Sequence, residues 1–237
     1  MDAHTFLEIS SWSMLGTGAV TLVACLLITA PYGRYSTSKG WGPLVPAQLA
    51  WFLMESPNLW IPLLFWSTDN APKLAEKALP NCILLLFFVL HYFHRAVIYP
   101  LRMQARIAAP MPVSVAFLAF AFCCWNGLNQ SIALTLLQEY PEGYETHPRF
   151  LCGMAIAATG MALNIHADTH LLNLRKDPSD RTYKIPRGGL FELVRYFIVL
   201  SLSPLSHHFH SLNYHRHHHE TKFSLLLSLG FRCKLFR

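Results

Sequence analysis

The sequence predicts an all-α fold, a polytopic bundle of transmembrane helices. Three observations carry this expectation. Hydrophobic residues make up 53% of the 237-residue chain and charged residues 14%, against about 25% charged in ordinary soluble domains. Residues 11–30 and 111–138 contain no charged side chain, and each stretch reaches the ~20 residues that cross a bilayer core. The basic residues cluster in short stretches between apolar runs. The net charge of +6 therefore reflects membrane topology rather than a nucleic-acid partner.

Five spans are expected, at about residues 11–30, 46–67, 80–101, 112–138 and 149–172. Asp2 and Glu8 precede the first with no Lys or Arg, which argues for a retained span and against a cleaved secretory signal. Gly16-Thr17-Gly18 lies inside that span with no strand before it, so no Rossmann unit is expected. Pro31-Tyr32-Gly33-Arg34 punctuates the exit, and Pro141-Glu142-Gly143 marks the turn between the fourth and fifth spans. Asn129-Gln130-Ser131 matches a glycosylation acceptor but falls mid-span. The cysteines are isolated or, at Cys123-Cys124, adjacent, so neither a disulfide framework nor a zinc site is expected.

Between the spans, Lys73, Lys77 and Arg149 lie on one side. Arg34, Lys39, Arg95, Arg102, Arg106, Arg175, Lys176, Arg181, Lys184 and Arg187 lie on the other. The positive-inside rule places this richer side in the cytosol and the N-terminus in the lumen or outside. Residues 195–237 differ in texture: rich in His, Ser and Leu, with apolar runs too short to span. The expected organisation is a transmembrane domain over residues 1–194 and a poorly ordered tail over 195–237.

Ionisable residues at membrane depth mark functional sites by default. Glu55 is the only carboxylate of the second span and lies one helical turn from Trp51, so it is a candidate to donate or share a proton. In the third span, Tyr92, Arg95 and Tyr99 are spaced to share a helix face. A phenol can hydrogen-bond a carbonyl oxygen without carrying charge into the membrane, and an Arg nearer the cytosol could reach a phosphate. In the fifth span, Asn164, Asp168 and Arg175 fall within roughly 40° on a helix. Arg181, Tyr183, Lys184 and Arg187 follow, so this stretch reads as the dinucleotide end of a membrane-embedded site. His166-x-x-x-His170, His91-x-x-His94 and the histidines from His207 to His219 offer a remote alternative, the His boxes of membrane di-iron oxygenases. His166 and His170 point roughly opposite to the Asn164–Asp168–Arg175 stripe, and no metal site is expected.

The strings PYGR, AWFLMESP, PNCILL, LHYFHRAVIYP, FCCWNGLNQ, PRFLCGM, NIHADTHLLNLRK and YKIPRGGLFE resemble the steroid 5α-reductases (3-oxo-5α-steroid 4-dehydrogenases), most of all their type 1 branch. The likeness covers about residues 31–194. It implies seven helices in the endoplasmic reticulum membrane, of which about five are present here. It also implies NADPH as cofactor and a Δ4-3-oxosteroid as substrate, with lipid as the other partner. Glu55 and Tyr92 match the family's catalytic pair. They would hydrogen-bond the C3 carbonyl while hydride passes to C5 and a proton reaches C4. Trp51 would line the steroid pocket. Arg95, Tyr99, Asn164, Asp168, Arg175 and Tyr183 match cofactor-facing positions.

The sequence also departs from the family. Met54 replaces the Gln that usually precedes the glutamate. The loop RMQARIAAPMP is longer than the family's and lacks its Gly, so Arg102 and Arg106 receive no role from the resemblance. After Val194 the family's Ala-Asn-x-x-Gly-Glu-x-x-Glu-Trp segment and its last two spans have no counterpart. Low reductase activity is therefore expected of the chain as it stands. A non-catalytic, truncated membrane isoform is the competing reading.

Overall fold

The structure, a computed structural model, describes residues 1–31, 33–67, 78–103, 108–174, 186 and 191. Four helical stretches are long and apolar enough to cross a membrane: Ala3–Cys25, Leu79–Arg102, Val113–Leu137 and Pro148–Asn173. They coincide with four of the five expected spans. Helix α1 (Ala3–Leu27) starts on Asp2, whose Oδ1 accepts a bond from the Thr5 backbone N–H at 2.7 Å. That satisfies one of the donors every helix N-terminus leaves open.

The remaining expected span, residues 46–67, is broken into α2 (Ala47–Glu55) and α3 (Pro57–Ser67). Pro57 has no N–H to offer the Leu53 carbonyl one turn back. In apolar surroundings an unpaired carbonyl is costly, and the Ser56 hydroxyl donates to Leu53 O at 3.0 Å in its place. The break sets Glu55 at the very end of α2.

Two other helices depart from α geometry. Helix α4 (Leu79–Phe93) passes through a π-turn at His94–Ile98 into α5 (Tyr99–Arg102). There the Tyr99 N–H reaches back five residues to His94 O, and Pro100 supplies no donor to restore the α register. Helix α6 (Val113–Ser131) likewise ends in a π-turn at Ile132–Leu137. Gln138 N–H bonds Ala133 O rather than Leu134 O. The Asn81 side chain takes up the slack, donating to Leu134 O at 2.8 Å and to Gln138 O at 2.9 Å. Insertions of this kind often mark functional positions, and Arg95 stands inside the first.

Strands β1 (Leu44–Val45) and β2 (Met111–Pro112) form a short antiparallel pair that fixes the start of α6 beside α2. Val113 N–H bonds Pro43 O at 2.9 Å and the Ser114 hydroxyl bonds Trp41 O at 2.6 Å. Behind this clasp Ala47, Ala50, Trp51, Met54, Tyr99, Met103 and Met111 form a buried apolar cluster. Helix α6 packs along both α2 and α3, and α7 (Pro148–Asn173) completes the described helices.

Burial runs opposite to that of a soluble protein. Asn58, Asn81 and Ser131 are among the most fully buried side chains, whereas Phe117, Leu118 and Ile156 are each more than 60% exposed. A helix bundle with its polar groups inside and its large apolar groups outside has lipid as its solvent. The chain is an integral membrane protein.

The chain divides into two compact units, Met1–Gly16 with Pro31–Arg181, and Thr17–Ala30 with Thr182–Arg237. The polar cluster described next lies entirely in the first. Ser10 ties the early turns of α1 to α6 within that unit. Its hydroxyl donates to Asn129 Oδ1 at 2.7 Å and accepts from the Trp125 indole at 2.5 Å.

Candidate active site

Glu55, Arg95 and Asp168 come from three separate elements and meet in the interior. The Arg95 guanidinium donates through Nη2 to Glu55 Oε1 and through Nη1 to Asp168 Oδ2, each at 3.3 Å. Both acids are 8% exposed. The same guanidinium lies 4.6 Å from the Trp51 ring centroid and 5.7 Å from that of Tyr99, and the two rings meet edge to face at 5.1 Å. The planar, fork-shaped guanidinium can bond carboxylates through its edge and stack on aromatic rings through its face. A lysine could not serve all four neighbours.

One turn along α4 from Arg95, the Tyr92 hydroxyl accepts a bond from Asn126 Nδ2 at 3.0 Å. The same Nδ2 donates to Asn58 Oδ1 at 3.0 Å. Cys123, one turn before Asn126 on α6, approaches Glu55 Oε2 with its Sγ at 3.6 Å. Helix α6 thus touches both Glu55 and Tyr92, through Cys123 and Asn126. Gly127 permits this closeness to α3, because a Cβ there would stand 3.3 Å from both Asn58 Oδ1 and Pro57 O.

Of the residues singled out from sequence, Trp51, Glu55, Arg95, Tyr99 and Asp168 are brought together, with Tyr92 on the adjoining network. Asn164 is exposed, one turn before Asp168 on α7, and does not join them. Arg175 and Tyr183 lie outside the described residues. Arg95 presents one Nη nitrogen to each carboxylate. Sequence reasoning passed over Cys123, Asn126 and Asn58 as partners of the site. The signal was there in each case, a polar side chain inside an apolar run. It also passed over Gln48, whose Nε2 closes the end of α5 on Met103 O at 2.8 Å and Pro100 O at 3.3 Å.

At the α5 end of the cluster, exposed Arg102 donates from Nη2 to Thr169 Oγ1 at 2.9 Å and makes no ion pair among the described residues. The exposed Asn164 amide, the Asp168 carboxylate, the Thr169 hydroxyl and the Arg102 guanidinium suit a ligand of hydroxyls and phosphates.

A lipid-embedded helical bundle with two acids, a guanidinium and a phenol gathered inside has the build of a membrane enzyme. The comparisons with known proteins define the class further. The family model described as 3-oxo-5-alpha-steroid 4-dehydrogenase matches residues 109–201. The chain is 41% identical over 195 residues to 3-oxo-5-alpha-steroid 4-dehydrogenase 1 of Bos taurus, covering 82% of this chain and 72% of that one. With the human protein of the same name it is 47% identical over 150 residues, 63% of this chain and 56% of the other. With a steroid 5-alpha-reductase of Arabidopsis thaliana it is 39% identical over 201 residues, 80% and 72% of the two chains. The chain belongs to the steroid 5α-reductase family, whose members are oxidoreductases, and resembles its type 1 branch. It spans between 56 and 72% of the length of these relatives.

Proposed function

We propose that this protein binds NADPH and a Δ4-3-oxosteroid in the endoplasmic reticulum membrane, basic loops to the cytosol, and has the site chemistry to reduce the steroid's C4–C5 double bond. The observation that carries the reading is the placement of Glu55, bonded by Arg95, and of the Tyr92 hydroxyl against Cys123 and Asn126, which lie one turn apart on α6. Reduction of an enone places negative charge on the C3 oxygen, and donors aimed at that oxygen stabilise the transition state. Tyr92 donates its phenolic hydrogen there. Glu55 can donate only when it carries a proton. Trp51 would line the steroid side.

When bound, NADPH would supply the hydride for C5, and solvent would supply the proton that completes C4. Asn164, Asp168, Thr169 and Arg102 would hold the cofactor's polar groups at the α5 end, with Arg175 and Tyr183 following in sequence. Arg95 and Tyr99 stand behind them, Arg95 orienting both acids and Tyr99 supporting Arg95.

Steroid binding to the chain in nanodiscs with NADP+ tests this reading. The expected result is saturable binding of a Δ4-3-oxosteroid in preference to the same steroid lacking the 3-oxygen. Turnover with NADPH, read by mass spectrometry, is expected to be low beside that of the relatives, because the family's segment after Val194 has no counterpart in residues 195–237. Equal affinity for the two steroids overturns the proposal.

A further inference from the structure

The Tyr92 hydroxyl has one hydrogen, and for its part in the proposed reaction that hydrogen must point at the substrate. Its oxygen already accepts from Asn126 Nδ2 at 3.0 Å. A phenol that accepts through a lone pair keeps its hydrogen for another partner. The direction of this bond therefore decides whether Tyr92 is a donor to the pocket or is consumed by its neighbour.

Asn58 is the second partner of that nitrogen. It is fully buried at the start of α3, and its Oδ1 accepts from the same Asn126 nitrogen at 3.0 Å. The Asn126 amide nitrogen thus lies between two oxygens, with each of its two hydrogens assigned. Gly127 lets α6 approach α3 closely enough for this, since a Cβ there would come within 3.3 Å of Asn58 Oδ1. Hydrogen bonds in a chain also polarise one another, so a donor on the phenol oxygen makes its own hydrogen a better donor in turn.

We infer that Asn126 is a positioning residue. Held by Asn58, it donates to the Tyr92 oxygen and keeps the phenolic hydrogen directed at the C3 oxygen of a 3-oxosteroid. The inference rests on the proposed function, and its test is built to fail separately from that reading.

The readout is the affinity ratio between a Δ4-3-oxosteroid and its analogue lacking the 3-oxygen, with NADP+, for the full chain in nanodiscs. Asn126→Ala is expected to lower this ratio about tenfold, the effect of one hydrogen bond, while leaving affinity for the analogue unchanged. In a Tyr92→Phe background the same substitution is expected to change nothing further, because residues acting through one group are non-additive. Asn126→Leu keeps nearly the same volume, leaves no large cavity and offers no donor. It is expected to lower the ratio at least as far as alanine does. An unchanged ratio in Asn126→Leu overturns the inference, as does an Asn126→Ala loss that persists in full without the Tyr92 hydroxyl. If Tyr92→Phe alone leaves the ratio unchanged, the carbonyl role of Tyr92 falls, and the role of Asn126 falls with it.

Discussion

Arg95 and Asp168 stand 73 residues apart in the chain and meet at 3.3 Å, joining the π-turn after α4 to the last turns of α7. Arg95 reaches Glu55 at the same distance, so one side chain fastens three elements. Removing one partner of a buried ion pair typically costs about 3–5 kcal/mol, because the remaining charge is left uncompensated. Arg95→Ala would strand two acids. The expected outcome is a clear fall in melting temperature and in folded yield in detergent. Arg95→Lys should fall between, since an ammonium cannot bond both acids and lie over both rings. The triple variant Arg95→Ala, Glu55→Gln, Asp168→Asn should recover part of the loss. A melting temperature unchanged in Arg95→Ala would show that the cluster is not holding the helices.

Chemistry should separate from stability at the other pair. In a chimera whose residues after 194 come from the Bos taurus relative, Tyr92→Phe and Glu55→Gln are each expected to lower turnover about 10²–10³-fold, the usual cost of one oxyanion donor. NADPH affinity should stay within a few-fold. Single-turnover product formation and cofactor titration measure the two effects separately. Near-normal turnover in both variants would remove the pair from the reaction.

The close approach of α6 to α3 gives a purely structural expectation. A methyl group at Gly127 would press on Asn58 Oδ1 and Pro57 O at 3.3 Å, and neither can move freely. Asn58 is fully buried, and Pro57 belongs to the helix break. Overpacking of this kind costs about 1–3 kcal/mol. Gly127→Ala should therefore lower the melting temperature and Gly127→Leu prevent folding. Gly153→Ala on α7, where nothing lies within 4 Å of the added carbon, is the control and should be neutral. Equal effects at the two glycines would mean that the α3–α6 contact is looser than described.

The sequence made the membrane class and half of the site legible, for reasons that differ residue by residue. Uncharged runs of bilayer length marked the spans without any knowledge of their packing. Trp51 and Glu55 were placed together because four residues on a helix share a face, and they do share the buried face of α2. Periodicity failed where the helices leave α geometry. Pro57 was visible, but not that Ser56 would mend the gap it leaves. Neither π-turn has a spacing signature, and the one at His94–Ile98 shapes the stretch that carries Arg95 and Tyr99. The Arg95 clamp depends on contacts across 40 and 73 residues, which no local pattern encodes. Asn126 was read only as part of a family string, although an amide inside an apolar run has to find a partner.

The last expectation concerns cofactor choice, and Arg95 sharpens it. NADPH differs from NADH by a 2′-phosphate, whose charge near neutral pH is about −1.5 to −2 and needs a cation free to meet it. Arg95 is occupied by Glu55 and Asp168, so its charge is already balanced. Arg102 is exposed and bonded only to the neutral Thr169 hydroxyl among the described residues, and Arg175 comes directly after the end of α7. Among the described residues no Rossmann turn with its acidic residue is present to hold a free 2′-hydroxyl. NADP+ should therefore bind the chain more tightly than NAD+, with the preference shrinking at high salt as exposed charges are screened. Arg102→Ala and Arg175→Ala should each weaken NADP+ binding several-fold, leave NAD+ binding nearly unchanged and barely alter steroid affinity. Calorimetric titration of both nucleotides into the chain in nanodiscs measures this directly. Equal affinity for NAD+ and NADP+ in the unmutated chain would overturn the assignment of these arginines to the phosphate.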